Sequence, residues 1–175
     1  MIKKLFFIII VVVMAAACGN RKSGIVFDSA TMPVQTVYDA KTMFTDRGCL
    51  QMLLEQPVLH NYEDEEKTQI SPSGIEMSFY DKQTSKLEVY IRADSAVNSQ
   101  SSKLMRFYRN VVIYDYRKGD TITTEALYWN QDKRKIYSDV YTRQAGLKSV
   151  TTGTGFDADE QLNNINIRNP QFELF

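Results

Sequence analysis

The sequence predicts an all-β protein built of stacked antiparallel strands. Apolar residues alternate with polar ones in one run after another, as they do on a strand with one face buried. Clusters of Gly, Asn, Asp and Ser divide those runs at short intervals. Beyond the apolar leader, no stretch carries the 3.6-residue period of a sustained amphipathic helix.

Residues 1–17 read as a bacterial export signal. Lys3 and Lys4 give a positive start, an unbroken apolar run reaches Met14, and Ala15, Ala16 and Ala17 form a small-residue cleavage zone. From Leu5 to Cys18 a helix would rise about 21 Å, short of the roughly 30 Å hydrocarbon core, which argues against a permanent transmembrane anchor. Cys18 directly after the alanines matches a lipoprotein cleavage box, although Ala15 stands where Leu is commoner. An ordinary thiol at the end of a short membrane helix is the competing reading. Acyl chains on Cys18 would hold the protein on a bilayer, since each buried methylene contributes about 0.8 kcal/mol.

Loss of the leader removes two of 21 basic residues against 21 acidic ones, leaving a net charge of about −2. Nucleic-acid binding is excluded as an expectation, because it calls for a clustered basic face. With Cys18 lipidated only Cys49 remains, so no intrachain disulfide forms, and Cys49 is expected to be a small buried residue. Residues 18–32 are polar and aperiodic and read as a lipidated tether, and residues 33–175 as the folded domain.

Val34, Thr36 and Tyr38 share one side of the first extended run, and Leu50, Met52 and Leu54 one side of the next. Residues 40–52 are the one competing helix, but Gly48, Thr42 and Thr45 limit it to a short helical turn. Ile75, Met77 and Phe79 repeat the alternation. Leu87, Val89 and Ile91 then stand opposite Glu88, Tyr90 and Arg92. Residues 104–114 are rich in β-branched and aromatic types, with a bulge expected at Asn110. After a turn at Lys118-Gly119-Asp120, strands are expected at 121–129, 135–142, 147–156 and 162–167, with 157–159 as a divider. Two stretches, from Ala93 to Ile113 and from Thr124 to Val140, repeat a strand, a polar turn and a returning strand; Tyr38-Asp39-Ala40 ahead of 50–59 is a third, weaker copy.

Catalytic groups are not expected. His60 is the single histidine, and without a second His or a Cys pair it supplies no transition-metal set. Glu63-Asp64-Glu65-Glu66 lacks the alternating spacing and the turn glycine of a calcium loop. Gly153-Thr154-Gly155 lies in a strand-like run rather than at the helix start a phosphate cradle needs, so a bulge or a close backbone approach is expected there. No cofactor, metal or catalytic residue is therefore assigned. A hydrolase with scattered acids is the weakest alternative. The apolar faces remain: Met77, Phe79, Leu87, Val89, Ile91, Val111, Ile113, Leu127, Val140 and Ile165 form a plain core, or line an interior left open along one side that holds acyl chains.

The export signal, the tether, Ala93-Asp94-Ser95-Ala96 leading to 104–113, the step Gly119-Asp120-Thr121-Ile122-Thr123-Thr124-Glu125, and Gly146-Leu147-Lys148 leading to Gly153-Thr154-Gly155 together resemble the LptC family. The likeness runs across most of residues 34–168. It implies an incomplete, open antiparallel β-jelly roll with a role in lipopolysaccharide transport. The roll would accept lipopolysaccharide from an inner-membrane ABC transporter complex and pass it to an LptA-like periplasmic protein, rolls joining edge to edge through backbone hydrogen bonds. By that analogy Gly153, Gly155, Leu162, Ile165 and Ile167 mark the outgoing edge, and 34–54 faces the transporter. A lipidated Cys18 in place of the family's usual transmembrane helix is a departure. The expected location is the periplasmic face of the inner membrane, with the outer membrane as the alternative. The second function class is a cell-envelope lipoprotein acting as a protein-binding scaffold through strand edges, which an exposed patch at Tyr114, Tyr116, Tyr128 and Trp129 would favour.

Overall fold

The computed structural model describes residues 32–174; the export signal, Cys18 and most of the tether lie outside the described residues. Within them the chain forms only strands: β1 (Gln35–Asp46), β2 (Cys49–Asn61), β3 (Thr68–Ser71), β4 (Ile75–Tyr80), β5 (Leu87–Ala93), β6 (Ser95–Ser99), β7 (Leu104–Asp115), β8 (Asp120–Asn130), β9 (Lys135–Ser138), β10 (Thr142–Ala145), β11 (Ser149–Gly153), β12 (Phe156–Asp159), β13 (Asn166–Ile167) and β14 (Gln171–Leu174). All pairings are antiparallel and belong to one sheet that does not close.

The sheet folds back on itself because its long strands bend and its short ones stop along one line. β7 pairs β6 through residues 104–108 but β5 through 112–115. β8 likewise pairs β9 near Trp129 and β10 near Thr123, and β2 pairs β3 near His60 and β4 near Leu53. At the bend of β7, Arg109 and Asn110 both take positive φ, 62° and 47°, in a bulge between Tyr108 and Val111. In β1 the bend is Asp39, with φ 50°, next to the stretch of β2 where Pro57 lacks an N–H. The shorter strands break at Pro72-Ser73-Gly74, Asp94, residues 139–141, Thr154-Gly155 and Asn169-Pro170. Two layers result, joined along this corner, with β1, β13 and β14 as outer strands, each paired on one side only. This is the open β-jelly roll.

Cross-strand rows explain the core. In one layer Leu54, Met77, Ile91, Ile113 and Ile122 stand opposite one another across five strands. In the other, Asn98, Met105, Trp129, Ile136 and Ala158 do the same. Phe107, Leu127 and Phe156 fill the space near the corner and are at most 1% exposed. Each such side chain contributes roughly 1.5–3 kcal/mol by leaving water.

Several expectations are corrected. Residues 40–52 form no helical turn; Arg47 and Gly48, both at positive φ, close a hairpin between β1 and β2 whose tertiary pairing outweighs local preference. The runs 135–142 and 147–156 are each cut in two, because each crosses the corner. Residues 157–159 belong to β12 instead of dividing strands, and only Asn166–Ile167 of 162–167 is strand. Cys49 is half-buried rather than buried, as it begins β2 beside the exposed hairpin turn. The bulge at Asn110 stands as read, and the first two repeats are the β6–β7 and β8–β9 hairpins, the second with its returning strand ending at Ser138 instead of Val140.

Candidate functional site

Opposite the corner, the hairpin ends of the two layers face one another across a seam, and the interior opens there. A cavity of about 450 Å³ lies at the seam, floored by Met52, Phe79, Val89, Ile91, Trp129 and Ile136. A second of about 270 Å³ adjoins it toward β1, bounded by Phe44, Leu54, Leu59, Met77 and Met105; both share Met52 and Trp129. The walls are predominantly apolar, as a ligand groove for hydrocarbon needs. Phe79 and Trp129 meet edge to face across it with centroids 6.2 Å apart, and the Trp129 Nε1–H donates to Glu160 Oε1 at 2.9 Å.

Toward β14 the seam is tied shut. The β7–β8 turn sends Arg117 across it, where Nη1 donates to Asn163 Oδ1 (3.2 Å) and Nη2 to the Gln161 carbonyl (2.7 Å). Lys118 Nζ donates to the Leu162 and Asn163 carbonyls at 2.8 and 3.0 Å. Leu162 itself, at φ 55°, is driven into the core and 1% exposed. Arg117 is aimed by Asp115, whose carboxylate is buried. Burial works to raise the Asp115 pKa, but the hydrogen bonds and charge of Arg117, with Lys118, outweigh it and hold the carboxyl below its usual range.

The residues expected to line an interior divide as follows. Met77, Val89, Ile91, Val111, Ile113 and Leu127 are buried, while Phe79 and Ile165 are half-buried against the core. Met77, Phe79, Val89 and Ile91 border the two cavities; Ile113 and Leu127 are packed core. Val140 is a correction: it is 38% exposed, because the break at 139–141 ends the alternation of β9. Leu87 is another, since a register shift after Phe79 pairs it with Tyr80, and Glu88 borders the seam cavity instead.

At the expected outgoing edge, Leu162 and Ile167 are buried. Gly153 and Gly155 are covered: a Cβ on Gly153 would overlap the Arg168 carbonyl and Ile167, and one on Gly155 the Ser138 carbonyl. The close backbone approach expected at these glycines is therefore present, and the free backbone edge lies one strand on. Past Ile167 the chain turns at Asn169-Pro170 and adds β14 to β11, with Phe172 70% and Leu174 83% exposed.

Of the aromatic patch, Tyr114 and Tyr116 are exposed and Tyr128 stacks on Tyr137, but Trp129 faces the groove. His60 Nδ1 lies 2.9 Å from Thr36 Oγ1 between β1 and β2. Among the described residues no three His, Cys, Asp or Glu side chains are grouped as metal ligands. Sequence reasoning missed Phe44, Leu59, Met105 and Ile136 as groove residues, and the role of Arg117. Met52 and Leu54 carried a signal in their alternation; Arg117 sits in a polar turn that resembles any other.

A family model described as lipopolysaccharide-assembly, LptC-related, matches residues 8–169. No curated protein matches the chain.

Proposed function

The chain belongs to the LptC-related lipopolysaccharide-assembly family, and from that premise we propose that it carries lipopolysaccharide from an inner-membrane ABC transporter complex to an LptA-like periplasmic protein. The family is a lipopolysaccharide-transport component, acting at the periplasmic side of the inner membrane, and not an enzyme family. The observation that carries the finer reading is the pair of joined apolar cavities along the seam, lying between two free strand edges, β1 and β14. Acyl chains leave water on entering such a groove at roughly 0.8 kcal/mol per methylene, with no bond made or broken. The edge of β1 then receives the transporter's side and the edge of β14 the LptA-like partner by strand addition.

In this reading residues 1–17 are removed, Cys18 bears the lipid anchor on the periplasmic face of the inner membrane, 19–32 span the gap, and 33–175 form the roll.

The test is photocrosslinking in cells with a benzoyl-phenylalanine analogue at Met77, Phe79 and Val89, and at Tyr114 on the outer face as control. Lipopolysaccharide adducts at the inner three alone support the conduit. Adducts to protein only, or none above the Tyr114 background, would leave a scaffold that acts through its edges.

A further inference from the structure

Four amide side chains form a hydrogen-bonded ladder across the layer that contains β3 and β6. Gln35 on β1, Asn61 on β2, Gln69 on β3 and Asn98 on β6 are successive cross-strand partners. Asn98 Nδ2 donates to Gln69 Oε1 at 3.0 Å, Gln69 Nε2 to Asn61 Oδ1 at 2.8 Å, and Asn61 Nδ2 to Gln35 Oε1 at 3.0 Å. The next partner along the same row is Met105, and after it Trp129, so the row changes from amide to apolar at Asn98. Asn98 Oδ1 is buried there with no hydrogen-bond partner. It lies in the wall of the second cavity with Gln69, among Phe44, Leu54, Met105 and Trp129.

A buried acceptor left unpaired costs about 1–3 kcal/mol, and the Met105 and Trp129 side of the row supplies no group to meet it. In this ladder the Asn98 nitrogen is engaged by Gln69, and the oxygen is the end of the row that has no partner. We infer that Asn98 Oδ1 is a recognition point for a hydrogen-bond donor carried among apolar tails: the hydroxyl or amide N–H of a substituted acyl chain. This rests on reading the interior as a lipid groove and adds to it a preference among lipids. Acyl chains alone are gripped by burial without distinction, whereas a donor at this depth meets an acceptor that is otherwise unsatisfied. The cavity's position between β1 and the seam puts this selection near the receiving end of the groove.

Trp129 is the single tryptophan and borders both cavities, so its fluorescence reports occupancy. The mature protein is titrated with a β-hydroxy fatty acid and with the unsubstituted acid of equal length. Affinity for the hydroxylated chain is expected to be higher by roughly three- to tenfold, the size of one hydrogen bond. The preference should vanish in Asn98→Leu. It should vanish also in Gln69→Leu combined with Asn98→Leu, which moves the broken end of the ladder from the part-buried Gln69 contact to Asn61, beside solvent at Gln35, if the single change folds poorly. Equal affinity for the two acids in the unaltered protein, or an unchanged preference in either folded variant, overturns the recognition point, water alone then satisfying Asn98, while the groove stands. No fluorescence response to either acid removes the groove reading and this inference with it.

Discussion

Arg117 grips Asp115 with two nitrogens, Nε to Oδ1 at 2.9 Å and Nη2 to Oδ2 at 2.8 Å, while its remaining nitrogen crosses the seam to Asn163. One side chain thus both neutralises a carboxylate that is wholly withdrawn from solvent and ties the two layers together.

Arg117→Ala is expected to destabilise the fold by up to about 3–5 kcal/mol, because it removes the main partner of a buried carboxylate and leaves only Lys118 at 3.9 Å and the backbone N–H of residue 117 to meet it. Asn163 and the Gln161 carbonyl lose a partner as well, so amide exchange should quicken in 160–164 more than in β7 or β8. Chemical denaturation with hydrogen exchange measures both; equal quickening everywhere would mean that the tie is not local.

The same pair sets the acid response. Asp115 has its pKa lowered in the folded state, so its contribution is complete above the ordinary value of 3.8 and is lost as pH falls through the folded value. In Arg117→Ala the guanidinium's hydrogen bonds and charge are gone, and burial is opposed only by the backbone N–H of residue 117 and by Lys118, so the folded pKa rises from its wild-type position. The loss of stability on acidification below about pH 4 is expected to be smaller in the variant than in the unaltered protein, a difference read from the two stability curves, in which the other carboxylates cancel.

Tyr90 governs the alkaline side. Burial first, and then the neighbouring Glu76, push its phenol up to about 12. The folded state keeps this proton where the unfolded chain releases it, so stability is full below about pH 10 and falls between there and pH 12. Tyr90→Phe should flatten that decline. A phenolate absorbance titration of the folded protein should show a late-ionising tyrosine component that Tyr90→Phe removes.

Gly155 has φ 118°, outside the range L side chains accept, and its Cα faces the Ser138 carbonyl. Gly155→Ala is expected to cost at least about 1–3 kcal/mol, from backbone strain before the contact is counted. Thermal unfolding checks this. A neutral result would mean that the corner between β11 and β12 relaxes freely.

Alternation made the fold class legible, and it located Met77, Val89 and Ile91, because a half-buried strand has no other way to hide one face. It failed where a strand crosses the corner. Val140 and Leu87 stand beside a break and a register shift, and one displaced residue reverses every later direction. Asp39, Arg109 and Asn169 take positive φ as non-glycine residues, so composition gave no notice of those bends. The amide ladder was invisible for a different reason: Gln35, Asn61, Gln69 and Asn98 are far apart in the chain, and only the register of four strands brings them into line.

The free edge of β14 yields the last prediction. Phe172 and Leu174 are exposed on a strand whose backbone is paired on one side only, and all four of its residues are exposed. Such a strand contributes little to the core, so Phe172→Lys combined with Leu174→Lys should change stability by no more than about 0.5 kcal/mol per site. Lysines on an edge oppose the addition of a further strand. Under the transport reading, the doubly substituted protein should load lipid at Phe79 as before and bind an LptA-like partner at least tenfold more weakly. Calorimetric titration with that partner, beside crosslinking at Phe79, separates the two steps. Undiminished partner binding would move the outgoing contact away from β14; lost lipid loading would mean that the edge and the groove are coupled rather than separate.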